Sequence, residues 1–275
     1  MNINSSISDM PIAIFDSGFG GLTVLKQLLK ILPNENYIYI GDNINIPYGD
    51  KSKDEIINLT LKMTEFLISK KCKILIIACN TISACAYDIL KQKYEIPIIE
   101  VISNGIREAL NNTKNNNISI MGTEFTIHSN IYKDKITQQS RNAEVTQVIC
   151  KELCPMIENN WDSHKNRFDV LKNYLKNIDK ESDTLILACT HYPHIINDIQ
   201  NLLKTDISNS IKNIIDPSYY TALSVKKYLE KNNILNMRNQ KKINIYTTEN
   251  IEREKKIINI FMSKDEIYDF NQIKL

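Results

Sequence analysis

Short apolar runs alternate with longer stretches of helical periodicity along the 275 residues. That alternation predicts βα units around a mainly parallel sheet. A first strand is expected over Pro11 to Phe15, then a Gly-rich turn. An amphipathic helix follows over Leu22 to Leu32, with Leu22, Leu25, Leu28 and Leu29 on one face. Tyr37 to Ile40 reads as a second strand, and Ser52 with Glu55 has the spacing of a capping box that opens a helix running to about Lys70. Further strands are expected at Ile74 to Ala78, Ile96 to Glu100, Ile118 to Met121, Glu144 to Val148, Thr184 to Ala188, Asn213 to Ile215 and Lys242 to Tyr246.

The strand ends contain an internal repeat. IAIFDSG (Ile12 to Gly18) resembles ISIMGTE (Ile118 to Glu124) at a displacement of 106 positions, and ILIIACNT (Ile74 to Thr81) resembles TLILACTH (Thr184 to His191) at 110. Near-equal offsets predict two similar doubly wound α/β domains with mainly parallel sheets. One is expected over 1–101 plus 215–275 and the other over 102–214. Ligands of open α/β sheets bind beyond the carboxyl ends of the strands. All four repeat segments end there, so the expected active site is a cleft between the two domains.

Composition narrows the function classes. Thirty-four basic and thirty-two acidic residues leave a net charge of +2, which gives no field for nucleic acid. Apolar runs such as Ile74 to Cys79 fall far short of the ~18–20 residues a membrane helix needs. MNINSSISDM at the N-terminus has neither a basic n-region nor an apolar core. A cytoplasmic enzyme or binding protein is therefore expected, with its six cysteines as free thiols. Their roles would be packing, metal binding or catalysis.

Cys79 and Cys189 each end a strand, in Cys79-Asn80-Thr81 and Cys189-Thr190-His191. Either alone reads as a small hydrophobe. Together, at equivalent ends of two repeated units, they could address opposite faces of one bound molecule, as inversion by two bases requires. Asp16 and Ser17 precede Gly18, Gly20 and Gly21, a turn suited to present backbone N–H groups to a carboxylate or phosphate. The dinucleotide fingerprint would need a glycine where Thr23 stands. Pro47-Tyr48-Gly49 could add donors from the same side. Cys72 and Cys85 read as core, and Cys150 and Cys154, spaced C-x3-C, lack the second ligand pair of a zinc site. His191 adjoins a strand-end thiol, whereas His128, His164 and His194 have no such support.

These residues resemble the glutamate racemases of the cofactor-independent aspartate/glutamate racemase superfamily. The resemblance is carried by FDSGFGGLTVLKQL (Phe15 to Leu28), YIGDNINIPYGDKS (Tyr39 to Ser52), IIACNTISA (Ile76 to Ala84), MGTEFTIHSNIY (Met121 to Tyr132), CPMIE (Cys154 to Glu158), LACTHYPHI (Leu187 to Ile195) and IDPS (Ile215 to Ser218), which together reach across nearly the whole chain. The segment CKELCPMIE departs from the longer Phe/Val/Pro-rich form that is usual before the family's glutamate. The resemblance implies Cys79 and Cys189 as catalytic acid/bases, supported by Asp16, Glu158 and His191. It implies substrate contacts from Asp16, Ser17, Tyr48, Gly49, Asn80, Thr81, Thr123, Thr126, Thr190 and His191. It also implies L- and D-glutamate as substrates, no cofactor, no metal, a homodimer, and supply of D-glutamate for peptidoglycan. Rival expectations are a racemase for aspartate or another small acid, a thiol-based metal or redox protein, and a glutamate sensor without turnover.

Overall fold

The computed structural model describes residues 7–238, 241–262 and 266–275. Most of the N-terminal segment read above for a targeting signal, residues 1–6, lies outside them. The chain divides into two compact units, 1–101 with 218–275, and 102–217.

The first unit begins with β1 (Ile12–Asp16), α1 (Leu22–Ile31), β2 (Tyr37–Gly41), α2 (Lys53–Ser69), β3 (Ile74–Ile77), α3 (Asn80–Lys93) and β4 (Ile98–Glu100). β1, β2 and β3 are buried at every position, as strands covered on both faces must be, and this is why they read as unbroken apolar runs. Ser52 caps α2 as the sequence predicts. Its hydroxyl accepts from the Glu55 N–H at 3.3 Å, and Glu55 accepts from the Ser52 N–H at 3.0 Å. β4 is shorter than expected and starts at Ile98, because Pro97 has no N–H for a ladder and offers only its carbonyl, to Leu75.

In the second unit, α4 (Val101–Asn112), which begins at the unit boundary, leads to β5 (Asn117–Gly122), α5 (Glu124–His128), α6 (Ile131–Gln139), β6 (Glu144–Ile149), α7 (Leu153–Glu158), α8 (Arg167–Leu175), β7 (Thr184–Ala188), α9 (Ile196–Thr205) and β8 (Asn213–Ile215). β8 pairs with β7, so Ile215 to Pro217 belong to this unit, and the chain returns to the first unit at Ser218 rather than at Ile215. The return consists of α10 (Pro217–Lys231), β9 (Ile243–Thr247), α11 (Ile251–Phe261) and β10 (Asp269–Gln272).

All strand pairs are parallel. The first sheet runs β10-β9-β2-β1-β3-β4 and the second β6-β5-β7-β8. The order β2-β1-β3-β4 recurs as β6-β5-β7-β8, so the repeat in the sequence is a repeat in topology, with β9 and β10 added to the first copy. In both sheets the β1/β3-type strands are central; Asp16 is the last residue of β1, and Cys79 and Cys189 lie just past β3 and β7.

A buried ion pair joins the returning segment to the first unit. Lys73 Nζ lies 2.5 Å from Glu35 Oε2, both side chains almost fully enclosed, and donates also to the Ile234 carbonyl at 2.9 Å. Glu35 accepts in turn from the Asn236 N–H at 2.9 Å. Burial pulls the Lys73 ammonium below its usual range, and Glu35 opposes that shift.

Candidate active site

The first unit gathers Asp16, Ser17, Tyr48, Cys79, Asn80 and Thr81. Asp16 closes β1 and is 1% exposed. Its Oδ1 accepts from the Ser17 N–H at 2.8 Å and its Oδ2 from the Gly21 N–H. Two donors of the Gly-rich turn, the Ser17 and Gly21 N–H groups, are thus already engaged by the Asp16 carboxylate and are not open to a ligand. No described glycine has positive φ, so the turn uses Gly21 for space. A Cβ there would stand 2.7 Å from the Asp16 Cβ and 2.9 Å from the Ala78 Cβ. Gly41 likewise lets β2 pass the Gly18 carbonyl, which a Cβ would meet at 2.5 Å. The Tyr39 hydroxyl pins that same carbonyl at 2.5 Å.

Cys79 follows β3 and is the N-cap of α3, with extended backbone. Its Sγ lies 3.5 Å from the Ser17 hydroxyl, whose own contact with Asp16 Oδ1 is 3.5 Å. A helix N-terminus favours a thiolate. Burial works against it and is the larger effect: it pushes the Cys79 thiol well above its usual range, and the Asp16 charge pushes the same way against the Ser17 hydrogen bond. Asn80 and Thr81 form the first turn of α3 and are buried beside the thiol.

Tyr48 is buried in the short helical turn Tyr48–Asp50, and its hydroxyl donates to Asp42 Oδ2 at 2.6 Å. Asp42, which sequence reasoning did not single out, is fully buried and also accepts from Thr248 Oγ1 at 2.8 Å. Burial first, and the Asp42 charge second, hold the Tyr48 phenol protonated far above its usual range. Its place just after β2, comparable to that of Asp16 at the end of β1, was the available signal for Asp42. Gly49 leaves open space where a Cβ would be.

The second unit gathers Thr123, Thr126, Cys154, Glu158, Cys189, Thr190 and His191. Cys189 follows β7, and its Sγ is 3.5 Å from His191 Nδ1. His191 Nε2 is 2.8 Å from Glu158 Oε1, an aligned Cys–His–Glu chain whose carboxylate comes from the last residue of α7. Burial disfavours charge on His191, but Cys189 and Glu158 outweigh it and raise the imidazole well above its usual range. Burial also opposes the Glu158 carboxylate, yet its bond to His191 holds it below the usual range. Burial raises the Cys189 thiol, Cys154 adds to the rise, and His191 counters it.

Thr123 caps α5 with extended backbone, and its hydroxyl donates to Thr126 Oγ1 at 3.0 Å. Thr190 is buried next to Cys189. Cys154 was read with Cys150 from their spacing. The fold separates them: Cys150 is fully buried, whereas the half-exposed Cys154 places its Sγ 3.2 Å from that of Cys189. Cys72 and Cys85 are buried and donate weakly to backbone carbonyls of Leu67 and Thr81, as expected of packing thiols. His128 is exposed on α5, and the His194 N–H bonds the His191 carbonyl at 3.0 Å within one turn.

The profile of the family described as Asp/Glu/Hydantoin racemase matches residues 20–217. A glutamate racemase of Fusobacterium nucleatum is 43% identical over 221 residues, covering 80% of this chain and 84% of the relative. The crystal structure of glutamate racemase isoform RacE1 from Bacillus anthracis aligns with a TM-score of 0.89 at 31% identity, over 98% of both chains. Glutamate racemase from Francisella tularensis, crystallised with D-glutamate, aligns with a TM-score of 0.87 at 36% identity, over 97% of this chain and 98% of that one.

Proposed function

Because the chain belongs to the Asp/Glu/hydantoin racemase family, we propose that it interconverts L- and D-glutamate without a cofactor, with Cys79 and Cys189 as the two acid/bases. The observation that carries this reading is the matched pair of strand-end thiols. Each stands after the corresponding strand of a repeated unit, and each is backed by its own polar chain, Ser17–Asp16 in one unit and His191–Glu158 in the other. That a similar enzyme binds D-glutamate supports the amino acid as substrate.

Removal of an α-hydrogen leaves a carbanion, and without an electron sink its charge must fall on the α-carboxylate. Neutral donors from Asn80, Thr81 and Thr190 would stabilise that charge as it grows. Ser17, Tyr48 and Gly49 with Thr123 and Thr126 would hold the remaining polar groups of the substrate. Tyr48, kept protonated by burial and Asp42, gives its O–H to Asp42 and so would meet the substrate through its oxygen as an acceptor rather than act as a base. An ordinary cysteine at pKa ~8.5 is only a few per cent thiolate at neutral pH, and burial drives both thiols higher still. Each thiol must therefore surrender its proton as the substrate engages. On the Cys189 side it passes to solvent, and the imidazolium of His191, held by Glu158, stabilises the thiolate left behind. On the Cys79 side Asp16, reached through Ser17, receives it.

In D-glutamate turnover one thiolate removes the proton and the other thiol delivers one to the opposite face, so the roles exchange in the reverse direction. The reading makes the protein a cytoplasmic homodimer that supplies D-glutamate for peptidoglycan. It is tested by a chiral assay of the purified protein with L-glutamate and with L-aspartate, no cofactor added. Accumulation of D-glutamate with little D-aspartate is expected; preferential racemisation of aspartate would contradict it.

A further inference from the structure

Cys154 takes no part in the chemistry proposed above, yet its sulfur is in contact with Cys189. The ligand atoms Cys154 Sγ, Cys189 Sγ and a His191 ring nitrogen all lie within 4.8 Å of one another. His191 turns Nδ1 toward Cys189 and Nε2 toward Glu158, so a carboxylate fixes the ring from behind, as outer carboxylates do for metal-binding histidines. Tetrahedral zinc with Zn–S of ~2.3 Å and Zn–N of ~2.05 Å sets S···N at ~3.5 Å and S···S at ~3.8 Å. The Cys189–His191 distance is 3.5 Å and the sulfur–sulfur distance is 3.2 Å. Cys189 and His191 are thus already spaced for a tetrahedral ion, the two sulfurs need to part by about half an ångström, and Cys154 lies within 4.8 Å of the His191 nitrogen. Cys154 is half-exposed, which gives an ion a way in.

We propose that Cys154, Cys189 and His191 Nδ1 form a binding site for a thiophilic divalent cation of the zinc class, and that the bound cation inhibits by occupying the Cys189 thiol. On binding, the two thiols each release a proton to solvent, His191 gives up its Nδ1 proton as well and coordinates through the neutral ring, and its Nε2–H still donates to Glu158. Three protein ligands leave the fourth position to water. The coordination itself does not rest on the racemase reading; only the inhibition does.

The test titrates the full chain, kept reduced, with Co²⁺ as an optical stand-in and with Zn²⁺. One equivalent of Co²⁺ should give thiolate-to-cobalt charge-transfer absorption that Zn²⁺ abolishes, and Zn²⁺ should suppress racemisation with the same stoichiometry. Cys154→Val should lose the absorption, and the racemase activity it retains should need at least about tenfold more Zn²⁺ for half-inhibition. Cys154→Ser, checked for native circular dichroism, guards against a folding defect in the valine variant. Absence of the charge-transfer band in the unmodified protein would overturn the site, as would an unchanged band and Zn²⁺ sensitivity in Cys154→Val. If the protein racemises nothing, the cobalt band still decides whether the site exists.

Discussion

At the scale of single residues, the two strand-end thiols differ in their supports while sharing a burial that keeps them protonated at rest. Both must act for inversion, so Cys79→Ala and Cys189→Ala should each lower kcat for glutamate by at least ~10²- to 10⁴-fold. Cys72→Ala, a change in the core, should instead lower the unfolding midpoint and leave kcat nearly intact. A second expectation concerns pH. His191 holds its proton above the usual imidazole range, helped by Glu158. Glu158→Gln removes the anion that favours the imidazolium, so His191 loses its proton at lower pH. A limb of the pH–rate profile that falls as His191 deprotonates should move to lower pH in this variant, while the Cys79→Ala variant's residual activity should not report such a shift. Among the residues of this site, Cys79, Cys189 and His191 were legible because scarce residue types stood at strand ends. Cys154 was not, because its partner is 35 positions away and only the fold brings the sulfurs together. Asp42 escaped for a related reason: its partners Tyr48 and Thr248 come from separate segments.

Among the elements, the turn between β1 and α1 is the one whose geometry the chemistry most depends on. The Gly21 N–H grips the Asp16 carboxylate, and the position has no room for a methyl group against Asp16 and Ala78. Gly21→Ala should cost ~1–3 kcal/mol of stability from overpacking and lower kcat by displacing Asp16. By contrast Ser52→Ala, which breaks the α2 capping box far along the chain from both thiols, should cost ~1 kcal/mol with kcat unchanged. Urea unfolding beside steady-state kinetics separates the two. The central strands were readable as apolar runs because parallel strands are buried on both faces. β10 was missed because Asp269–Gln272 reads DFNQ and occupies a sheet edge, half-exposed, where no run of apolar residues is required. The glycines of the turn suggested anion binding, but the sequence could not show that one of those donors, the Gly21 N–H, is taken by Asp16.

For the molecule as a whole, duplication of one strand order explains why two segments of weak similarity carry equivalent thiols. The repeat was visible at offsets of 106 and 110. The second unit extends to Pro217 rather than to the expected residue 214, because β8 pairs with β7 in the second sheet. The returning segment is held by the enclosed Lys73–Glu35 pair. Removing one partner strands the other charge in the interior, so Lys73→Met should destabilise the protein by ~3–5 kcal/mol. Lys73→Met combined with Glu35→Leu should recover much of that loss in urea unfolding, since no buried charge is left unpaired. Among the described residues, no helix is long and apolar enough to cross a membrane. Activity should survive dialysis against a chelator, or rise if a cation had been bound at Cys154; loss of activity restored by one specific metal would contradict the cofactor-free reading.

The central claim is that the proton delivered to the product does not come from the group that removed the substrate's. If Cys79 and Cys189 act on opposite faces of the α-carbon, the delivering thiol has exchanged with solvent before turnover. The direct measurement is mass spectrometry of the separated enantiomers at low conversion in D₂O, starting from D-glutamate. The account predicts L-glutamate carrying deuterium at the α-carbon beside D-glutamate that remains largely protiated. L-glutamate that is mostly protiated at that stage would mean one base returning the hydrogen it took, and would contradict the two-thiol mechanism even in an active racemase.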